Sequence, residues 1–393
     1  MFLYHAHNAR VTDDDSSPSA AGDTFRFFAT AAKGTEGAIR DELREHRFFG
    51  VRADRGGVHF QGRLTEGFRA CIELRCAVRV LVLIAEFHAP NGEALYEGVY
   101  TVDWAHVLDA DRTLAVRAFA KNSALSHTQF IAQKTKDAVV DQLRDRLGSR
   151  PNVDRDDPDV LLFVHIADDH ARVYLDMSGE SLHTRGYRRL QGDAPLKESL
   201  AASLLRLSEW DRKRPLIDPM CGSGTLAIEA FLWSHDIAPG LRRERFGFER
   251  WRSHGDAEAR AVSDLRERAR SRIIEKGPLV WAFDASRTMV AVARENARAA
   301  DIHMRIEERT IDSLSPLPTP GVVIVNPPYG ERLPADQSLY ETMASAFRRM
   351  KEHRIAVLAG APEVEAAVPR RPTKVYTVFN GPIECRFFLV DIP

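Results

Sequence analysis

The apolar positions divide the chain into a first half of mixed strands and helices and a second half in which the two alternate regularly. FRFFAT, from Phe25, is a short aromatic strand. GTEGAIRDELREH is a helix, with Ile39 and Leu43 four apart, and GVHFQG is another strand, so this stretch is a β-α-β unit. FRACIELRCAVRVLVLIAEF reads as a helix passing into a strand and LYEGVYTVDW as a further helix, with a small α/β domain ending near Asn91. TLAVRAFA then alternates as a strand. HTQFIAQKTKDAVVDQLRDRLG is a long helix with Phe130, Lys134, Ala138 and Leu143 near one stripe, and DVLLFVHIADDHARVYLDMSG is a hairpin. Further on, RPLID, LVWAFD, MRIEERT, GVVIVN and RIAVLAG are short apolar runs, each followed by helix or loop, the signature of a parallel sheet wrapped by helices. The last two runs, KVYTVFN and IECRFFLVDI, are separated only by Gly381 and Pro382. They must therefore form an antiparallel hairpin, because a crossover helix has no room.

Composition adds bounds. At 393 residues, 44% hydrophobic and 28% charged, the chain is globular and long enough for two or three folded units. Its 55 Lys and Arg against 56 Asp and Glu give a net charge of -1, so any surface for a polyanion is a local patch. Cys71, Cys76, Cys221 and Cys385 form no CxxC pair, which predicts neither a metal site nor a redox motif and suits a reducing cytoplasm. The opening MFLYHAHNAR lacks the features of a secretion signal, and no run is long enough for a membrane span. Residues 13–23 (DDDSSPSAAGD) are acidic and turn-rich, so residues 1–23 are expected to be a loose leader. Expected beyond them are one small domain over 24–91, a second over 92–179, a linker over 180–194 and the alternating domain over 195–393.

The chemistry gathers in the last domain. In LIDPMCGSGTLAIEA the strand ends at Asp218 and turns through glycines into a helix from Thr225. Gly222 and Gly224 let the backbone approach a ligand whose polar groups meet free N–H donors at the helix start. With Ala227 they also match a dinucleotide fingerprint. That fold expects its ribose-binding acid roughly 20 residues on, whereas the acid at a neighbouring strand end, Asp284, stands 60 positions after Gly224. Glu244, at the shorter spacing, lies in the Arg-rich LRRERFGFERW instead, so a nicotinamide cofactor is disfavoured. Asp312, in TIDSL, is either a cap or a partner for an adenine amine.

IVNPPYGERL, at the carboxyl end of the fourth strand, is the sharpest signal. Pro327 and Pro328 remove two backbone donors and stiffen the loop, which can hold the Asn326 side chain and the adjacent carbonyl as acceptors for an exocyclic amine. Tyr329 offers a flat face for a base. Cys221 sits in the glycine loop, away from these acceptors, and reads as a packed residue rather than a covalent nucleophile. Arginines interleaved with Phe246, Phe248 and Trp251 either stack on bases or pack in the core. The long helix carries Lys134 and Lys136, with Arg185, Arg188 and Arg189 soon after: a solvated face or a phosphate-binding one.

DPMCGSGTLAIEA, WAFD and NPPYGERL together resemble the S-adenosylmethionine-dependent methyltransferases that modify amino nitrogens. Upstream, SLHTRGYR, APLKESLAASLL, LYEGVYTVDW with the long helix, and the terminal FNGPIECRFF extend the resemblance to the bacterial THUMP-domain guanine-N2 RNA methyltransferases, among them those acting on 23S ribosomal RNA. The resemblance implies an α/β protein with ferredoxin-like and THUMP domains followed by a Rossmann-like methyltransferase domain, whose parallel sheet ends in an antiparallel hairpin. It implies S-adenosylmethionine bound by Asp218, Cys221, Gly222, Gly224, Asp284 and Asp312, and a target base held by Asn326, Pro327 and Tyr329. Structured RNA, ribosomal first and transfer RNA as the alternative, would contact Lys134, Lys136, Arg185 and Arg188, with no metal and no membrane partner. Ending at the terminal hairpin without a second methyltransferase domain, the chain is expected to make one modification. Adenine-N6 methylation and a catalytically silent RNA-binding assembly factor are the competing readings.

Overall fold

The computed structural model describes residues 24–190, 196–328 and 337–393; the expected leader lies outside them. The first layer contains β1 (Phe25–Thr30), α1 (Glu36–Glu45), β2 (Phe49–Asp54), β3 (Gly57–Gly62), α2 (Leu64–Glu73) and β4 (Arg79–His88). It continues with α3 (Gly92–Tyr100), β5 (Thr113–Lys121), α4 (Thr128–Leu147), β6 (Asn152–Val153), β7 (Val160–Ala167) and β8 (His170–Asp176). β2 escapes sequence reading because this edge strand is exposed along nearly its whole length, so no apolar alternation marks it. Asn91 caps α3, its side chain accepting from the Glu93 and Ala94 N–H groups.

All eight strands form one sheet in the order β2-β3-β1-β4-β8-β7-β5-β6. β4 and β8 pair antiparallel, Val82 opposite Leu175, and this seam joins the two small units into a single sheet and core. Phe27, Phe60, Val82, Val164 and Val173 point into that core with the apolar stripes of α1 to α4. The buried stripe of α4 is Ile131, Thr135, Ala138, Val139 and Leu143, which keeps Ala138 and Leu143 of the expected stripe and leaves out Phe130 and Lys134. Phe130 stays 45% exposed and lies against α3, its ring 2.8 Å from where a Cβ on Gly92 would stand. On the opposite face the only hydrophobic cluster among the described residues is made by the strands themselves.

The second layer runs α5 (Glu198–Leu207), β9 (Leu216–Asp218), α6 (Thr225–Ser234), α7 (Asp256–Ser271), β10 (Val280–Asp284), α8 (Arg287–Ala299) and β11 (Arg305–Glu308). It closes with β12 (Val322–Val325), α9 (Gln337–Arg349), β13 (Arg354–Ala359), α10 (Pro362–Ala366), β14 (Lys374–Asn380) and β15 (Ile383–Asp391). The sheet order is β11-β10-β9-β12-β13-β15-β14. β9 to β13 are parallel, and β15 runs antiparallel to both β13 and β14, so the expected sheet with its terminal hairpin is what forms. Gly381, at φ +64°, makes the two-residue turn that sets this register.

The layers are joined by core packing. Phe246, Phe248 and Trp251 are buried, and Phe248 stacks on Phe68 of α2 at 4.2 Å, which decides the aromatic-arginine segment in favour of packing over base stacking. Gly240 comes so close that a Cβ would stand 2.6 Å from the Ile72 Cα. No described helix is long and apolar enough to cross a membrane.

Candidate active site

β9 pairs with β10 on one side and β12 on the other, so the strand order reverses at β9. In an open α/β sheet the crevice at such a point, outside the carboxyl ends of the strands, takes the ligand. Asp218 ends β9, Asp284 ends β10 and Asn326 follows β12. Neighbouring strands lie ~4.8 Å apart, and Asp218 stands opposite Ala282, two residues before Asp284, so the three residues gather at one edge of the sheet.

The loop after Asp218 is shaped by its glycines and its hydrogen bonds. The Cys221 N–H donates to the Phe283 carbonyl (3.0 Å) and the Gly224 N–H to the Cys221 carbonyl (2.8 Å). Gly222 (φ +51°) has open space where a Cβ would project, while at Gly224 (φ +84°) a Cβ would stand 3.1 Å from that of Ala293. The loop is therefore cradle-shaped at Gly222 and tightly packed at Gly224. The Asp284 carboxylate accepts from the Gly222 N–H (2.8 Å) and, through its other oxygen, from the Ser286 N–H (2.9 Å). Those bonds orient it and leave further lone pairs for ligand hydroxyls.

Two acceptors in this crevice lack a partner among the described residues. Asp218, 1% exposed, takes one long bond from the Met220 N–H (3.4 Å) on Oδ1, and its Oδ2 is unpaired. Burial pushes its carboxyl up to about 8; the Met220 N–H opposes the shift and the nearby Asp284 charge adds to it. The Asn326 Oδ1 is likewise buried and unpaired. Buried polar atoms are normally satisfied, so two orphans at one sheet edge mark where a ligand's donors belong. A ligand with a positive charge and hydroxyls suits the Asp218 and Asp284 side, and an amine suits Asn326.

The Asn-Pro-Pro corner is buttressed by a residue that sequence reading missed. Tyr340 of α9, 7% exposed, donates its hydroxyl to the Pro328 carbonyl (2.9 Å), while Pro327 is buried. Tyr329 lies outside the described residues. The Cys221 thiol is buried, with burial and the Asp218 and Asp284 charges pushing it well above the ordinary thiol range, so it carries no thiolate. Asp312 is exposed on a single 3-10 turn after β11, and that turn is held where Arg349 donates to the Asp312 and Leu314 carbonyls.

The expected RNA-contacting arginines are corrected. Arg185 is 2% exposed; its guanidinium donates to the Leu182 and Arg75 carbonyls and faces Glu229 at 3.6 Å. Arg188 donates to Glu198 (2.8 Å), the Leu196 carbonyl (2.7 Å) and the Thr225 hydroxyl (3.2 Å). Both are committed inside the protein, so neither is placed to meet a phosphate. Lys134 stands over the Tyr96 ring and Lys136 pairs with Asp137, so these two are already engaged on α4.

The arginines belong to a strap that ties the first layer to the glycine loop. The Tyr187 hydroxyl donates to Glu229 of α6 (3.0 Å). Asn296 of α8, 1% exposed, accepts from the Arg189 and Leu190 N–H groups and donates to the Leu190 and Ser223 carbonyls. Its four bonds staple the strap to the loop. The one sequence signal was an amide on a buried stripe, three residues after Ala293.

Comparison with known proteins identifies the domains. Residues 185–388 match the RMKL-like methyltransferase domain, 89–176 the THUMP domain and 26–81 the RlmL ferredoxin-like domain. A protein of Syntrophotalea carbinolica named ribosomal RNA large subunit methyltransferase K/L is 42% identical over 385 residues, covering 94% of this chain and 54% of the relative. One of the same name from Methylococcus capsulatus is 40% identical, covering 94% and 51%. The chain thus spans about half the length of the curated relatives it matches. Among solved structures, the methyltransferase SMU.472, crystallised with SAH, superposes with a TM-score of 0.83 at 30% identity, covering 95% of this chain and 99% of that one. A Listeria monocytogenes protein described as an N6-adenine-specific DNA methylase superposes with 0.84 at 29% identity, covering 94% and 97%. With a catalytic domain, a THUMP domain and a ferredoxin-like domain all matched in order, the chain belongs to the THUMP-containing RMKL-like methyltransferase family.

Proposed function

We propose that the chain binds S-adenosylmethionine in the crevice at β9 and methylates the exocyclic N2 amine of a guanosine in structured RNA, large-subunit ribosomal RNA first. The observation that carries this reading is the buried Asn326 Oδ1, without a partner among the described residues, at the same sheet edge as the Gly222 cradle. When bound, the cofactor supplies an activated methyl group. Asp218 suits its cationic part and Asp284 its ribose hydroxyls, and exposed Asp312 is the candidate for its adenine amine. Cys221, Gly222 and Gly224 give the cradle its shape.

The Asn326 Oδ1 and the carbonyl of Pro327 accept the two N–H bonds of the amine and turn its nitrogen towards the cradle. Pro327, buried, and Pro328, held by Tyr340, keep those acceptors fixed, so the corner pays little reorganisation on binding. The amine's lone pair is delocalised into the ring, so orientation rather than proton abstraction is the main contribution of the chain. Tyr329 supplies a face for the unstacked base.

The ribosomal assignment is supported by the names of the relatives in Syntrophotalea carbinolica and Methylococcus capsulatus. Adenine-N6 methylation is a second reading, favoured by the description of the Listeria protein, since the same acceptors suit any exocyclic amine. Nucleoside mass spectrometry of ribosomal and transfer RNA and DNA from cells with and without the gene separates them. Loss of N2-methylguanosine from large-subunit RNA is expected. Loss of N6-methyladenosine instead would establish the second reading, and unchanged nucleosides would refute both.

A further inference from the structure

The terminal hairpin runs past the sheet at its ligand edge. β15 is antiparallel to β13, so its first residues stand beside the carboxyl ends of the parallel strands. β13 ends at Ala359, opposite Arg386, but β14 and β15 stay paired further out, as far as Asn380 opposite Ile383. The extra stretch, Ile383 to Cys385, carries the turn ~10 Å beyond the end of β13. β12 lies on the other side of β13, with Val325 opposite Val357, so Asn326 is two strand spacings, or ~10 Å, from the hairpin. The turn therefore stands over the crevice on the side of the Asn-Pro-Pro corner.

This tip is apolar and stiff. Gly381 takes φ +64°, and the ring of Pro382 fixes the next φ. Alternation puts Ile383 in the row of Cys385 and Phe387, both buried, and carries that row past the core. Ile383 is 40% exposed, and Pro382 is exposed as well. Glu384 takes the opposite face, level with Phe379. The outer strand is held from behind by the first layer. The Phe379 N–H donates to the Lys33 carbonyl (3.1 Å), and the Lys33 ammonium stands 3.7 Å over the Phe379 ring. Gly34 lies so close to the Thr377 carbonyl that no Cβ would fit. A lone exposed isoleucine on a surface is ordinary. Two apolar side chains on a braced turn beside the Asn326 acceptor are placed to act on whatever flanks the target base.

We propose that Pro382 and Ile383 form a wedge that enters the base stack of the substrate RNA beside the target nucleotide and fills the space its base leaves. A base drawn out of its stack leaves an apolar gap, and an apolar side chain inserted there buries itself between the remaining bases and opposes the return of the extruded one. Proline and isoleucine are among the residues that part base steps in this way. Bracing by Lys33 and Gly34 matters because a tip already rigid loses little freedom on insertion. This inference deepens the proposed methylation of RNA and rests on it.

The test is single-turnover methylation, by the full chain, of protein-free large-subunit RNA from cells lacking the gene. Pro382→Ala with Ile383→Ala should slow transfer on the order of tenfold, with RNA and S-adenosylmethionine affinities within about threefold of wild type. Ile383→Leu keeps an apolar wedge and should stay within about threefold of the wild-type rate, whereas Ile383→Asn should fall with the double variant. The same RNA carrying 2-aminopurine next to the methylated nucleotide should brighten on binding the wild-type chain and not the double variant, because that base fluoresces when unstacked. Unchanged thermal melting shows that the fold is kept; should the double variant melt lower, the comparison of Ile383→Leu with Ile383→Asn decides. Unchanged transfer in the double variant, or no brightening with wild type, overturns the wedge while the methylation reading stands. A loss of RNA or cofactor affinity as large as the loss of rate overturns it too, since the tip would then only support binding. A wild-type chain that transfers no methyl group to the RNA overturns the methylation reading itself.

Discussion

On the proposed reading, Asp218 should make the binding of S-adenosylmethionine a proton-coupled event. Its carboxyl is 1% exposed, has one oxygen without a partner among the described residues and is pushed up to about 8 by burial, with Asp284 adding to the shift. At pH 7 roughly nine in ten empty molecules therefore hold it protonated. A cationic ligand beside it favours the carboxylate, so binding should release about 0.9 proton at pH 7. The ionised fraction rises from about 1% at pH 6 to about half at pH 8, so affinity should tighten on the order of 50-fold over that interval and level off above it. The empty protein behaves oppositely. Its folded state keeps a proton that the unfolded chain gives up above ~3.8, so the stability from this group is full below that value and is lost as pH rises towards 8, by about 1.4 kcal/mol per unit. Calorimetry in two buffers of different ionisation enthalpy reads the proton directly, and Asp218→Asn should abolish both the release and the pH dependence. Proton release near zero at pH 7 in the wild-type chain would refute the argument.

The remaining expectations follow from single contacts. Asn326→Ala should lower single-turnover methylation on the order of a hundredfold or more with RNA affinity nearly kept, because on the proposed reading it removes an acceptor of the target amine; an unchanged rate would remove Asn326 from the chemistry. Asn296→Ala breaks the four hydrogen bonds of a buried side chain and should cost about 2 to 3 kcal/mol of stability and weaken S-adenosylmethionine binding severalfold, with RNA affinity unaffected; a variant that melts lower but binds the cofactor normally would make the staple purely structural. Cys221→Ala should keep turnover within about threefold, since a buried neutral thiol acts as a small packed group. A collapse of activity would reopen a covalent mechanism.

Much of the second layer was legible in the sequence, because each of its signals is local. A glycine loop after Asp218, an acid ending LVWAFD and two prolines after Asn326 all lie at ends of short apolar runs, and in a parallel sheet such ends share one edge. The terminal hairpin was equally plain, since two residues cannot hold a crossover. The arginines were misjudged for a related reason. Arg185 and Arg188 look like any basic pair in a linker, and only packing shows that their donors are consumed by carbonyls and by Glu198.

By itself the sequence determined the parallel core, the hairpin that closes it and the residues that stand at its carboxyl edge, because periodicity and turn chemistry act over a few neighbouring positions. Only the tertiary structure decided that two small units share one sheet through β4 and β8, and that the first layer steadies the terminal hairpin through Lys33. It also decided that Asn296 and Tyr340 brace the site from other elements. Those outcomes depend on which elements meet across long sequence separations, and burial, pairing and exposure are set by that meeting rather than by any local pattern.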